Sequence, residues 1–132
     1  MKLLLDTHIC VDIIRERPQP VLDRFTTYDV GDIGISTVTL AELEYGVSAS
    51  RRRVKNREAL DQFVSPLEIV AFDRPATTVY GRLRAALEKK GQMIGSMDLL
   101  IAAHAVSLDI RLVTHNARDF RRVPGLKIED WQ

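Results

Sequence analysis

The sequence predicts an α/β fold: a doubly wound, mainly parallel sheet of five strands with helices on both faces. Three observations carry this. Short apolar runs of strand character alternate with segments of helical periodicity along the whole chain. Those runs are nearly continuous in apolar residues, as expected of strands buried on both faces. The 132 residues suit a single core, since chains divide once they outgrow ~100–200 residues per domain.

The first strand covers Lys2–Asp6, an apolar run ending in a carboxylate. Thr7 is placed to cap a helix through Arg15, with Val11 and Ile14 on one side. Pro18 and Pro20 end it, and a second short helix runs through Val21, Leu22 and Phe25. Gly31 and Gly34 mark a turn before a second strand at Ile33–Ser36. Ser36 or Thr37 caps the next helix, which carries Leu40, Leu43 and Val47 at helical spacing. A polar amphipathic helix fits Arg51–Val64. Pro66 precedes a third strand, Leu67–Phe72. A long helix extends from Pro75 to Lys90, with Pro in its first turn and Gly91 as its stop. Ser96 is the expected N-cap of a helix Met97–Leu108, apolar almost all round and hence buried. Arg111–Thr114 forms the fourth strand, and the fifth lies around Leu126–Ile128 after Pro124 and Gly125.

Composition narrows the function classes. With 45% hydrophobic and 28% charged residues the chain has a globular balance, which excludes disorder, collagen and coiled coil. No apolar run approaches the ~20 residues that span a bilayer. Asp6 interrupts the leading apolar run well short of a signal-peptide core. The single cysteine, Cys10, excludes an internal disulfide and fits a reducing cytosol, so the expected location is cytoplasmic. A net charge of +1 hides a segregation. Residues 1–50 carry eight acidic and four basic side chains, and residues 51–95 carry ten basic and five acidic. A uniformly basic nucleic-acid binder is excluded, but an acidic site facing a basic flank is not.

In parallel sheets ligands sit outside the carboxyl ends of the strands. Asp6 ends strand one, and Glu42 lies on the helix after strand two. Asp98 opens the buried helix, and Asn116 and Asp119 follow strand four. All therefore fall at one rim. Gathered carboxylates repel, and a divalent cation removes the conflict. An oxygen donor set with few Cys or His residues favours magnesium or manganese over zinc. For Asp98 taken alone, stabilisation of a helix start by its charge is an equal explanation; Glu42 taken alone reads as a solvated helix residue.

Four blocks in this order, LLLDTH, ISTVTLAELEYGV, IGSMDLLIAAHA and LVTHNARDFRRVPGL, resemble the PIN-domain ribonucleases, and within them the VapC toxins of bacterial type II toxin–antitoxin systems. The wording AELEYG, LIAAHA and RVPGL is similar to the branch that cuts initiator tRNA in its anticodon loop. The resemblance runs from Lys2 to Trp131. It implies a single PIN-like domain over residues 1–132 with strand order 3-2-1-4-5. The implied metal ligands and catalytic acids are Asp6, Glu42 and Asp98. The fourth position falls to Asn116 or Asp119; Asp119 is taken as the charged member, acting through water, with Asn116 a neutral contributor. Thr7 and Thr114 would support them by orienting carboxylates or water. His8 and His115 stand where this branch commonly has Asn, and both are expected to alter hydrogen bonding at the rim.

The implied activity is hydrolysis of an RNA phosphodiester with one or two Mg2+ ions, Mn2+ substituting, leaving a 5′-phosphate and a 3′-hydroxyl. The implied partners are an RNA substrate such as tRNA, a VapB-type antitoxin and a second copy of the chain. Candidate phosphate contacts are Arg51, Arg52 and Arg53 on the basic helix, and Arg118, Arg121 and Arg122 beside Asp119. Tyr28, Tyr45, Tyr80 and Trp131 are scattered and form no stacking platform; Tyr45 is expected to pack inside. His104, among alanines, reads as a packed and hydrogen-bonded core histidine. No phosphate-loop or dinucleotide glycine pattern is present. Two other readings compete. A phosphoryl-accepting receiver domain would use Asp73 at the end of strand three, but it wants paired acids after strand one, where Thr7 and His8 follow Asp6. A catalytically silent PIN binding module is countered by the intact Asp6, Glu42 and Asp98.

Overall fold

The computed structural model describes residues 1–131. Strand β1 (Leu3–Leu5) is followed by helices α1 (Thr7–Ile14) and α2 (Gln19–Thr26) and a short 3-10 turn, Val30–Asp32. Strand β2 (Ile33–Ser36) leads to α3 (Thr37–Ala49) and α4 (Arg53–Val64). Strand β3 (Glu68–Val70) precedes two long helices that pack on each other, α5 (Arg74–Lys89) and α6 (Ser96–Leu108). Strand β4 (Arg111–Val113), helix α7 (Ala117–Phe120) and strand β5 (Ile128–Glu129) complete the order. The sheet runs β3-β2-β1-β4-β5, and all four pairings are parallel. The strand order implied by the family resemblance is the one observed.

The central strand shows why an unbroken leucine run belongs here. Successive side chains point to opposite faces. Leu3 and Leu5 enter one core with Ile9, Ile13, Ile35, Leu60 and Trp131. Leu4 enters the other with Leu83, Leu99, Leu112 and Phe120. All three leucines are 2% exposed or less, each worth roughly 1.5–3 kcal/mol over an exposed position. Gly34, on β2, lies where backbones approach closely. A Cβ there would stand 3.0 Å from the Glu68 carbonyl oxygen and run into the Met1 side chain.

Several boundaries differ from expectation. Asp6, not Thr7, caps α1, its Oδ1 accepting the Ile9 N–H at 2.9 Å; the Thr7 hydroxyl is drawn away to Glu42. Ser96 is the first residue of α6 and Gly95 holds the cap position without a side-chain bond. Helix α5 begins one residue early because the Asp73 carboxylate accepts the Ala76 N–H at 3.2 Å. Strand β3 keeps only three of its six expected residues, being an edge strand with one partner. Strand β5 starts two residues later and ends one later, at Ile128–Glu129, the positions in register with Leu112 and Val113 of β4. Helix α7 has no counterpart in the sequence reading. Tyr45 is 74% exposed, not packed inside: it lies midway between the buried Leu43 and Val47 in sequence, which turns it to the opposite side of α3.

Candidate active site

The parallel topology delivers the expected acids to one rim. Asp6 emerges from the centre of the sheet, with its backbone N–H donating to the Val113 carbonyl at 3.0 Å. It is 2% exposed. The next residue crosses to α3: Thr7 Oγ1 donates to Glu42 Oε1 at 2.6 Å, so α1 and α3 are joined at the site by the two side chains. Asp98 lies in the first turn of α6 and is half-buried. Beyond β4, the Asn116 backbone N–H donates to Thr114 Oγ1 at 2.9 Å, and the Asn116 side-chain amide donates to Asp119 Oδ2 at 3.1 Å. Thr7, Thr114 and Asn116 thus each hold a candidate acid or its loop.

Electrostatics links the four acids. Burial pushes the Asp6 carboxyl above its ordinary value; the Thr114 hydroxyl, the Ile9 N–H and His8 oppose that, and the negative charge of Asp98 adds to it. Asp98 is likewise raised, first by burial and then by the charge of Glu42, with Asp119 contributing in the same direction and His8 against it. Asp6 therefore feels Asp98, and Asp98 feels Glu42 and Asp119. Burial and neighbouring negative charge make Asp6 and Asp98 harder to ionise, a condition characteristic of functional sites.

The donor set is oxygen throughout: four acids with hydroxyl and amide neighbours. Among the described residues no three His, Cys, Asp or Glu side chains gather into a preassembled cage. Magnesium does not require one. It keeps several waters and is held by one or two carboxylates together with substrate phosphate oxygens. A buried, repelling carboxylate pair with two further acids beside it fits such an ion and suits zinc poorly.

The PIN domain family model matches residues 3–126. Ribonuclease VapC2 of Rickettsia felis is 44% identical over 132 residues, covering 99% of this chain and 98% of that protein. The tRNA(fMet)-specific endonuclease VapC of Shigella flexneri is 40% identical, with 99% and 98% covered. The chain belongs to the VapC family of PIN-domain ribonucleases. Among solved structures, DNA-bound VapBC from Salmonella typhimurium superposes with a TM-score of 0.95 at 38% identity, covering 100% of this chain and 99% of that one.

As a VapC toxin, a ribonuclease of a toxin–antitoxin system, the chain surrounds its acidic rim with groups of differing use. Arg118, Arg121 and Arg122 are exposed on and just after α7, and Arg122 Nη1 donates to the Met93 carbonyl at 3.2 Å. Arg51, Arg52 and Arg53 are exposed at the start of α4, where the neighbouring Arg57 is engaged by Glu44 and Asp61. A groove of about 230 Å³ opens beside Glu42 between α1, α3 and α4, with Val11, Ile14, Leu43 and Leu60 in its walls. His8 is exposed and acts on both Asp6 and Asp98. His115 meets Asp12, its Nε2 lying 2.9 Å from Asp12 Oδ2. His104 is fully buried with its ring edge-on to Phe72 at 5.4 Å, a packed core histidine as expected, with the Ala71 backbone as its polar neighbour. Asp73, the residue a receiver domain would phosphorylate, is spent on capping α5. Sequence reasoning missed the Thr7–Glu42 bond and the Asp12–His115 contact, which join positions 35 and 103 residues apart and leave no local signal.

Proposed function

We propose that this VapC is a Mg2+-dependent endoribonuclease, active also with Mn2+, that cuts initiator tRNA in the anticodon loop and so arrests translation in the cytoplasm. The observation that carries the reading is the electrostatic coupling of Asp6, Glu42, Asp98 and Asp119, four acids from four elements at one rim. The printed specificity of the Shigella flexneri relative for tRNA(fMet) supports the choice of RNA.

Asp6 and Asp98 would hold the cation directly, with Glu42 and Asp119 completing the site through water. When bound, the ion supplies Lewis-acid polarisation of the phosphoryl group and a lowered pKa for water. The chain's own part is positioning. Thr7 fixes the Glu42 carboxylate, Asn116 fixes Asp119, and Thr114 is directed at Asp6 while receiving the Asn116 N–H. Such preset groups cost little reorganisation as charge develops. The acid cluster repels a bare phosphodiester, so the exposed arginines after α7 would seat the phosphates flanking the cut. A looped single strand suits the rim, because its backbone bends and its bases splay.

The fold's neighbours include VapBC complexes, and a cognate VapB-type antitoxin is the matching partner. Its tail, carrying an arginine or aromatic side chain, would cross the acidic rim and use the apolar groove beside Glu42. The toxin would work as a homodimer. Incubation of the purified chain with total tRNA and Mn2+ tests the substrate: one discrete cut is expected, and a uniform smear would count against an anticodon-loop target.

A further inference from the structure

We infer that His115 is a positioning residue, clamping the loop that carries Asn116 and Asp119 onto helix α1, the helix that Asp6 caps, and so holding Asp119 within reach of Asp98. The inference rests on the metal-dependent reading above and deepens it. Its ground is geometric. His115 Nε2 lies 2.9 Å from Asp12 Oδ2, and Nδ1 lies 3.6 Å from Asp130 Oδ1. The imidazole is 19% exposed and the Asp12 side chain 27%, so the contact is sheltered. Asp12 sits on the same helix that Asp6 caps, six residues on, about 9 Å along its axis. One rigid element therefore holds Asp6 at its start and the Asp119 loop near its end.

The loop needs such a tether. Helix α7 spans only four residues and has no side-chain cap at its start. The segment's own bonds run from Asn116 to Thr114 and from Asn116 to Asp119; they shape the loop without fixing it to α1. His115 lies between Thr114, which is directed at Asp6, and Asn116, which holds Asp119. Its removal leaves both inner bonds, the Thr114 N–H bond to the Glu129 carbonyl and the buried Phe120 in place, but releases the turn between them from α1. Partners that orient a ligand from behind typically change metal affinity or activity 10–100-fold when removed.

The test compares wild type, His115→Ala, His115→Gln and Asp12→Ala. Mn2+ uptake is followed by electron paramagnetic resonance of free Mn2+, RNA cleavage by kcat and KM, and melting in chelator. His115→Ala should weaken Mn2+ binding about tenfold, with kcat falling similarly at fixed Mn2+ and KM for RNA moving less than about twofold. His115→Gln, whose amide nitrogen reaches Asp12 from nearly the Nε2 position, should recover most of the loss. Asp12→Ala, which deletes the other half of the contact and leaves the imidazole in place, should repeat the His115→Ala loss and serves if His115→Ala does not fold. Unchanged Mn2+ binding in His115→Ala overturns the clamp. So does a loss shared equally by His115→Ala and His115→Gln together with a lower melting temperature in chelator, which marks a purely structural role. A wild type that neither takes up Mn2+ nor cuts RNA overturns the functional reading itself, and the clamp with it.

Discussion

Replacing Asp6 by Asn should stabilise the metal-free protein. The carboxylate is 2% exposed and carries two opposing roles. Its Oδ1 caps α1 by accepting the Ile9 N–H at 2.9 Å, and a charge at a helix start is worth about 0.3–1 kcal/mol. Against this stand burial and the charge of Asp98, and together they win, because the group is raised above its ordinary value. Asn keeps the cap, ranking with Asp at that position, and its amide can donate to Thr114. Removing the uncompensated charge should therefore return on the order of 1–2 kcal/mol, or roughly 3–8 °C in Tm for a chain of this size. The pH dependence has a definite sign. The contribution of an acid with a raised folded pKa is fully present below its unfolded value, about 3.9, and is lost as pH rises through the folded value. The Tm advantage of Asp6→Asn should thus vanish near pH 4 and grow toward neutrality, followed by circular dichroism melts with chelator. Adding Mn2+ should reverse the order by stabilising wild type alone. A variant melting several degrees below wild type at pH 7 in chelator would refute the reasoning, since it would mean that the charge itself holds the fold.

Three other outcomes follow from separate parts of the molecule. Glu129 accepts from Trp131 Nε1 at 2.6 Å and from Tyr28 OH at 2.8 Å, with Arg24 and Arg111 at 3.3 Å; Glu129→Ala should cost about 1–3 kcal/mol in urea unfolding. Burial alone would raise that carboxyl, but the hydrogen bonds and Arg24 hold it below its ordinary value, so its stabilisation persists above about pH 4.3 and fades as pH falls through the folded value. Gly34→Ala should destabilise by about 1–3 kcal/mol, read from the same melts, because the Glu68 backbone at 3.0 Å cannot yield as a side chain could. The fully buried Cys10 thiol, pushed well above its ordinary value by burial and then by Asp6, should resist iodoacetamide at pH 8 in the native state and react once unfolded in urea.

The strands buried on both faces were the most legible part of the chain. β1, β2 and β4 are marked by short, mostly apolar runs, and their observed bounds lie within one residue of expectation. The edge strands β3 and β5 pair on one side only, so their composition carries less of the fold's constraint and their ends moved further. Helix α7 was invisible because four residues, three of them Ala, Arg and Asp, set no period. At Asp6 and Thr7 two adjacent polar residues were both able to cap, and the choice was made by Glu42, 35 residues away. The acids of the site were readable from topology, since a parallel sheet sends strand ends to one rim. What surrounds them was less so: the Thr7–Glu42 bond and the His115–Asp12 contact are tertiary and spacing does not encode them, whereas the Asn116–Asp119 bond is local. Tyr45 is a different case. Its place between Leu43 and Val47 already turned it to solvent, and the reading went astray by weighing residue type over helix phase.

In the proposed function Asp6, Glu42, Asp98 and Asp119 would form one cation-dependent cutting site. End-mapping of initiator tRNA after incubation with the purified chain in Mn2+, in chelator, and with Asp98→Asn tests it most directly. The account predicts a single anticodon-loop cut with a 5′-phosphate end, present in Mn2+ and absent in both other reactions. A cut that survives chelation, or that Asp98→Asn still makes at the wild-type rate, would contradict it.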